Sequence, residues 1–201
     1  SDTVQTMGHY PMDLQKIKVH FITCAAHKFH GPKGVGFLYV NHNVKIQPMI
    51  HGGAQERNMR GGTENTQGII GLAKALEICY AEMDEHIAHI KGLKNYMKEQ
   101  LEKTVPGIEF NGETGDNSLY TVLNCRFPAH PDAEMMLFNL DIQGIAASGG
   151  SACSSGSNQG SHVLRGIGAD TSRASVRFSF CKYTTKEEID YTIEKLKAML
   201  S

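Results

Sequence analysis

Neither sign of charge dominates this sequence: 20 Lys and Arg stand against 21 Asp and Glu, a net charge of -1. No global basic field therefore exists to hold nucleic acid or an anionic membrane. No stretch approaches the roughly 20 apolar residues of a membrane span, and the polar opening SDTVQTMGHY does not read as a secretory signal. The five cysteines, at positions 24, 79, 125, 153 and 181, form no CxxC and leave one over. That argues against a disulfide framework and against a structural zinc site, and makes a reducing, cytoplasmic setting the expectation. What is present is ordinary for a globular chain: 40% hydrophobic and 20% charged over 201 residues, enough for one large domain or two small ones.

Ser1–Gln5 reads as the tail of a strand and its exit turn. Two apolar, β-rich runs follow, Val19–Cys24 and Val35–Val40, short and bounded by Gly and Pro, as in strands buried on both faces of an α/β sheet. From Thr66 the apolar positions advance by threes and fours through Leu101. About 36 residues would make a straight helix of roughly 54 Å, so a break is expected between Glu82 and Gly92, with Pro106-Gly107 as the stop. Beyond it the texture is α+β. Strands are expected at Leu119–Cys125, Gly144–Ala147 and Ser175–Phe180, a helix at Ala133–Leu140, and a last helix from Thr185, where Thr185 and Glu188 form a capping-box pair. The Gly/Ser-rich stretch Ser148–Ser161 has the composition of a mobile loop, and Cys153 sits inside it.

Several residues invite chemistry. Lys28 lies on the tight loop AAHKFHGPKG between the two apolar runs, where partial desolvation would make its amine a usable nucleophile for a Schiff base; a solvated lysine is the bland account. Lys33, in GPKG, competes, although that turn lacks the spacing of a phosphate-binding P-loop. Asp2 at a strand end suits the protonated ring nitrogen of pyridoxal phosphate, and Gln5 could donate to its phenolate oxygen; a surface turn is the alternative. The Gly-rich stretch HGGAQERNMRGGT, with two arginines and Thr63, suits an anion such as phosphate. His27 with His30, and His86 with His89, are spaced i, i+3 without further ligands at metal spacing. Cys153, on a polar loop, could act as a thiolate, whereas Cys24 and Cys125 read as core.

Taken in order, HKFHGPKG, HGGAQERNMRGGT, SGGSACSSG and RASVRFSF followed by the T-x-EEID helix resemble the cysteine desulfurases, pyridoxal-phosphate enzymes of the class-V aminotransferase group. The resemblance covers essentially all 201 residues. It implies an α/β fold: residues 1–83 as the remainder of a fold-type-I large domain that binds the cofactor, and 84–201 as a small α+β domain carrying the cysteine loop. It implies that Lys28 holds the cofactor, that His27 contacts its phosphate, and that Asp2 and Gln5 serve the ring nitrogen and phenolate oxygen. By the same resemblance Thr63 reaches the phosphate of the other subunit of a homodimer, Arg177 binds the substrate carboxylate, and Cys153 takes sulfur from L-cysteine as a persulfide. The cysteine loop is similar to that of the branch that feeds iron–sulfur scaffolds and other sulfur-acceptor proteins.

Two departures accompany the resemblance. Ala25 stands where relatives commonly place a phosphate-binding serine, a loss of about 1–3 kcal/mol of hydrogen bonding. The match also starts midway through the large domain, so the sequence is expected to be the C-terminal half of a longer enzyme. The other half would hold a Gly/Thr phosphate loop, a ring-stacking histidine and an asparagine. A selenocysteine lyase, another class-V aminotransferase, and an inert dimerisation or scaffold-binding fragment are the alternatives.

Overall fold

The computed structural model describes residues 1–131, 135–149 and 161–200. They form two compact units, Ser1–Asp84 and Glu85–Ser201.

In the first unit, β1 (Phe21–Ala25) and β2 (Gly36–Val40) pair antiparallel, from Phe21 opposite Val40 to Ala25 opposite Gly36. Ser1–Thr3 adds to β1 in the parallel sense: Thr23 N donates to Ser1 O at 3.2 Å and Thr3 N to Thr23 O at 3.1 Å. The opening residues thus run alongside β1 as a single parallel bridge. The sheet does not have two buried faces, however. Ile22 and Cys24 are buried while Thr23 is exposed, and Leu38 is 53% exposed, because period-two alternation turns one set of side chains to the core and the other away from it. The buried face packs with Met7, Ala26, Phe29 and Cys79, and Leu72, Ala75 and Leu76 close over this cluster.

Between strands and helices lies α1 (Gln55–Asn58), a short turn in which Glu56, Arg57 and Asn58 all take left-handed backbone angles. Next, α2 (Thr66–Ala81) is capped by Asn65, whose side chain accepts from Gly68 N at 3.0 Å. The long helical pattern breaks at Glu82, where φ is -108° and ψ is 12°. The following helix α3 (Met83–Thr104) runs uninterrupted through Gly92. It carries the chain into the second unit and ends just before Pro106.

The second unit is an antiparallel α+β structure. Strands β3 (Glu109–Phe110), β4 (Val122–Arg126) and β5 (Ser175–Ser179) lie in that order, with β4 central. Helices α4 (Met136–Ile142), α5 (His162–Gly166) and α6 (Lys186–Leu200) accompany them. Leu101, Leu123, Cys125, Val176, Leu140 and Leu196 are all within 1% of complete burial. The capping box forms as expected: Glu188 N donates to Thr185 Oγ1 at 3.2 Å and Thr185 N to the Glu188 carboxylate at 2.9 Å. One expected strand is absent. After α4, Gly144 turns the chain through a positive φ of 75°, and only Ser148 reaches the sheet, as a single bridge to Arg177. The start of the expected helix at Ala133–Leu140 lies outside the described residues; the helix that is described begins at Met136. Among the described residues no helix is long and apolar enough to cross a membrane.

Candidate active site

At the end of β1 the chain tightens into a single 3-10 turn, Ala26–Phe29. Its geometry sorts the four side chains: Ala26 and Phe29 are fully buried, and His27 and Lys28 between them face outward, exposed. The turn is closed behind by Gly31 N donating to Ala26 O at 2.8 Å and by Ala26 N donating to Val35 O at 3.0 Å. Buried anchors on either side thus present Lys28 on a short, well-fixed arm. The side chains of Lys28 and His27 make no hydrogen bond or ion pair with another described residue.

The parallel bridge between Asp2 and Thr23 decides what lies beside that turn. Two parallel strands leave a sheet at the same end, so the segment after Asp2 and the segment after Ala25 emerge together. Thr3 is buried and its hydroxyl donates to Thr23 O at 2.7 Å; Met7 N then returns to Thr3 O at 2.8 Å, which places Gln5 on the exit turn. Asp2 keeps one carboxylate oxygen on Val4 N at 2.9 Å. The turn bearing His27 and Lys28 thus follows β1, and the turn bearing Gln5 follows the short segment that bridges to β1 at Asp2 in the parallel sense. This donor set of amine, imidazole, carboxylate and amide suits a ring cofactor that offers an aldehyde to an amine and a ring nitrogen to an acid.

Thr63 stands exposed on the loop entering α2 and makes no hydrogen bond to the Lys28 turn among the described residues. That loop is closed upon itself: Gly61 N donates to Ile50 O at 3.0 Å, Gly62 N to Gln55 Oε1 at 3.1 Å, and Arg60 Nη1 to Gly61 O at 2.9 Å. Of the two arginines there, Arg60 is thus engaged in holding the loop.

Arg177 lies in the second unit, half-buried on β5 opposite Asn124. Its Nε is buried with no hydrogen-bond partner. Its backbone fixes Ser148, accepting and donating at 3.2 and 2.6 Å, five residues before Cys153. Cys153 itself lies outside the described residues. Cys24 and Cys125 are core, as expected, and burial pushes both thiols up from their ordinary range. No cluster of metal-binding side chains occurs among the described residues; His89 Nε2 lies 3.0 Å from Thr184 O.

The support beneath Lys28 escaped the sequence reading. Cys79 Sγ donates to Phe29 O at 3.6 Å, and the loop after the turn lies directly on α2. The only sequence signal was Cys79 falling on the apolar stripe of that helix.

The order of strands and helices is that of a mixed α/β fold. The comparisons make this specific: the model of the class-V aminotransferases matches residues 1–192, and the chain belongs to that family. It is 43% identical to the cysteine desulfurase IscS of Dictyoglomus turgidum, across 100% of this chain and 51% of the relative. A solved NifS-like protein superposes with a TM-score of 0.87 at 37% identity, covering 99% of this chain and 51% of the other. SspA in complex with cysteine gives 0.68 at 30% identity, with coverages of 92% and 50%. The chain spans about half the length of the curated relatives it matches.

Proposed function

We propose that these residues form the C-terminal half of a cysteine desulfurase, which converts L-cysteine to L-alanine and holds the sulfur as a persulfide on Cys153. The observation that carries this reading is Lys28, unpaired on its turn at the sheet end where Asp2 and Gln5 also emerge. Pyridoxal 5'-phosphate, when bound, supplies an aldehyde for amines and a ring that accepts electron pairs from the substrate's carbons. Asp2 keeps the ring nitrogen protonated, Gln5 donates to the phenolate oxygen, and His27 meets the phosphate. Thr63 meets the phosphate of a second subunit, so the enzyme is a homodimer.

Lys28 would hold the cofactor until the substrate's amine takes its place, and the amine so released would then move protons at the substrate carbons. Arg177 takes the substrate carboxylate through its planar fork, satisfying the buried Nε. The Cys153 thiolate forms a bond to the substrate sulfur as the carbon–sulfur bond breaks; the electron pair stays with the carbon, and protonation there gives alanine. An iron–sulfur scaffold or other sulfur-acceptor protein then takes the persulfide sulfur, in a cytoplasmic setting.

The test uses the full-length protein loaded with pyridoxal 5'-phosphate. Lys28→Ala is expected to abolish the visible band of the bound cofactor. Cys153→Ala is expected to keep that band and release no sulfide from L-cysteine. Unimpaired turnover in Cys153→Ala would favour a transaminase or lyase instead, and no band in the wild type would favour an inert module.

A further inference from the structure

Gly71 sits in the interior of α2, where a glycine is the costliest choice after proline and no special backbone angle asks for one. What it supplies is clearance. A Cβ there would stand 2.6 Å from Cγ and 3.1 Å from Cδ of Pro32, well inside the 3.4–4 Å of ordinary contact. The ring of Pro32 is tied to the backbone at both ends, so it cannot swing aside as a long side chain does. Pro32 belongs to the same closed loop as Lys28, joined from Ala26 N to Val35 O. About two turns further along α2, Cys79 holds the carbonyl of Phe29, the residue next to Lys28. The lysine turn is thus seated on α2 at two points, one a hydrogen bond and the other an approach too close for any side chain.

We infer that Gly71 is a positioning residue for Lys28: its missing side chain sets how deeply the GPKG loop beds on α2, and hence where the Lys28 amine is delivered. The inference rests on the proposed role of Lys28. A methyl group at position 71 must move Pro32 outward by about 1 Å to reach ordinary contact. A misplacement of that size costs up to about 100-fold in rate when it falls on a reacting group. Removing the Pro32 ring should remove the collision, so the two positions are coupled.

The experiment uses the full-length protein with Gly71→Ala, Pro32→Ala and both together, and Gly92→Ala as a methyl added elsewhere in a helix. Without cofactor, hydrogen exchange is read at the Ala26 and Gly31 amides, which close the turn, and at the β4 and β5 amides. With pyridoxal 5'-phosphate, the pH midpoint of the visible band is read beside desulfurase rate. Gly71→Ala is expected to lower protection of the two turn amides by about tenfold or more, leave β4 and β5 unchanged, shift the band's pH midpoint and slow turnover. The double variant should return all of these to within about twofold of Pro32→Ala alone. Unchanged turn protection in Gly71→Ala, an equal loss everywhere, or no rescue by Pro32→Ala would overturn the inference. If Gly71→Ala fails to fold and the double variant folds, the coupling stands; if neither folds, Pro32 is not the colliding partner. A visible band that survives Lys28→Ala would instead sink the desulfurase reading, and the positioning role with it.

Discussion

Among the described residues of the second unit, the Nε atoms of Arg126 and Arg177 are buried without a hydrogen-bond partner; Arg126 is paired with Glu109, and Arg177 is the one to which the proposed function gives a use. A donor left unsatisfied costs about 1–3 kcal/mol, which a substrate carboxylate would offset. Lysine at this position keeps the charge and loses the fork, so Arg177→Lys in the full-length enzyme should raise KM for L-cysteine by about 10–100-fold, with a smaller change in kcat. An unchanged KM in steady-state kinetics would separate Arg177 from the carboxylate. The cysteines make a second residue-level case. Burial raises the Cys24 and Cys125 thiols, leaving little thiolate to react, and Cys79 is buried as well. Iodoacetamide at pH 8 should therefore leave all three unlabelled in the native protein and label them in denaturant, read by peptide mass spectrometry. The polar turn that carries Lys28, and the core cysteines, were legible because local patterns alone place them: a tight turn between apolar runs, or a thiol inside such a run. The pairing of Asp2 with Thr23 was not, because a parallel bridge between residues 2 and 23 leaves no local signature.

At the scale of elements, sequence periodicity located α2, α3 and α6 but could not choose between Glu82 and Gly92 as the break. The structure explains the choice: nothing lies within 4 Å of a Cβ built at Gly92, so no packing demand bends the helix there. Gly92→Ala should accordingly stabilise the protein by about 0.5–1 kcal/mol in denaturant melts, the helix-propensity gain without a steric cost. Gly144–Ala147 read as a strand because its residues are apolar, yet the turn at Gly144 takes them off the sheet edge; tertiary placement overrode composition. The two-residue strand β3 has too little sequence for any pattern, and its place is held by side chains. Glu109 meets the guanidinium groups of Arg126 and Arg173, while Arg173 also donates to Phe127 O at 2.8 Å and Gly107 O at 2.7 Å. The hydrogen bonds from Arg126 and then Arg173 hold the Glu109 carboxyl below its ordinary 4.5. A depressed carboxylate stabilises the fold above its unfolded-state value and loses that contribution as pH falls through the folded one. Glu109→Gln should therefore be less stable than wild type at pH 7, with the difference closing below about pH 4.5 in thermal melts.

For the molecule as a whole, the two units differ in how completely their own residues enclose their sheets. In the second, β4 is flanked on both edges, and Leu123, Cys125 and Val176 are at most 1% exposed. In the first, two strands and the Ser1–Thr3 segment carry one buried face, and Leu38 of β2 is 53% exposed; away from the sheets both units expose apolar side chains, Met49 and Ile70 in the first, Ile142 and Ile167 in the second. Small sheets covered on one side are marginal by themselves, and apolar surface of this extent ordinarily belongs under another layer. The 201-residue chain expressed alone should thus show its least-protected sheet amides in β1 and β2, exchanging at least tenfold faster than those of β4 and β5. In the full-length protein, β1 and β2 should gain protection while β4 and β5 change little, because added burial acts where apolar surface is open. Equal protection of both sheets in the 201-residue chain would mean that the first unit closes its own core, and that its exposed apolar side chains need no further cover.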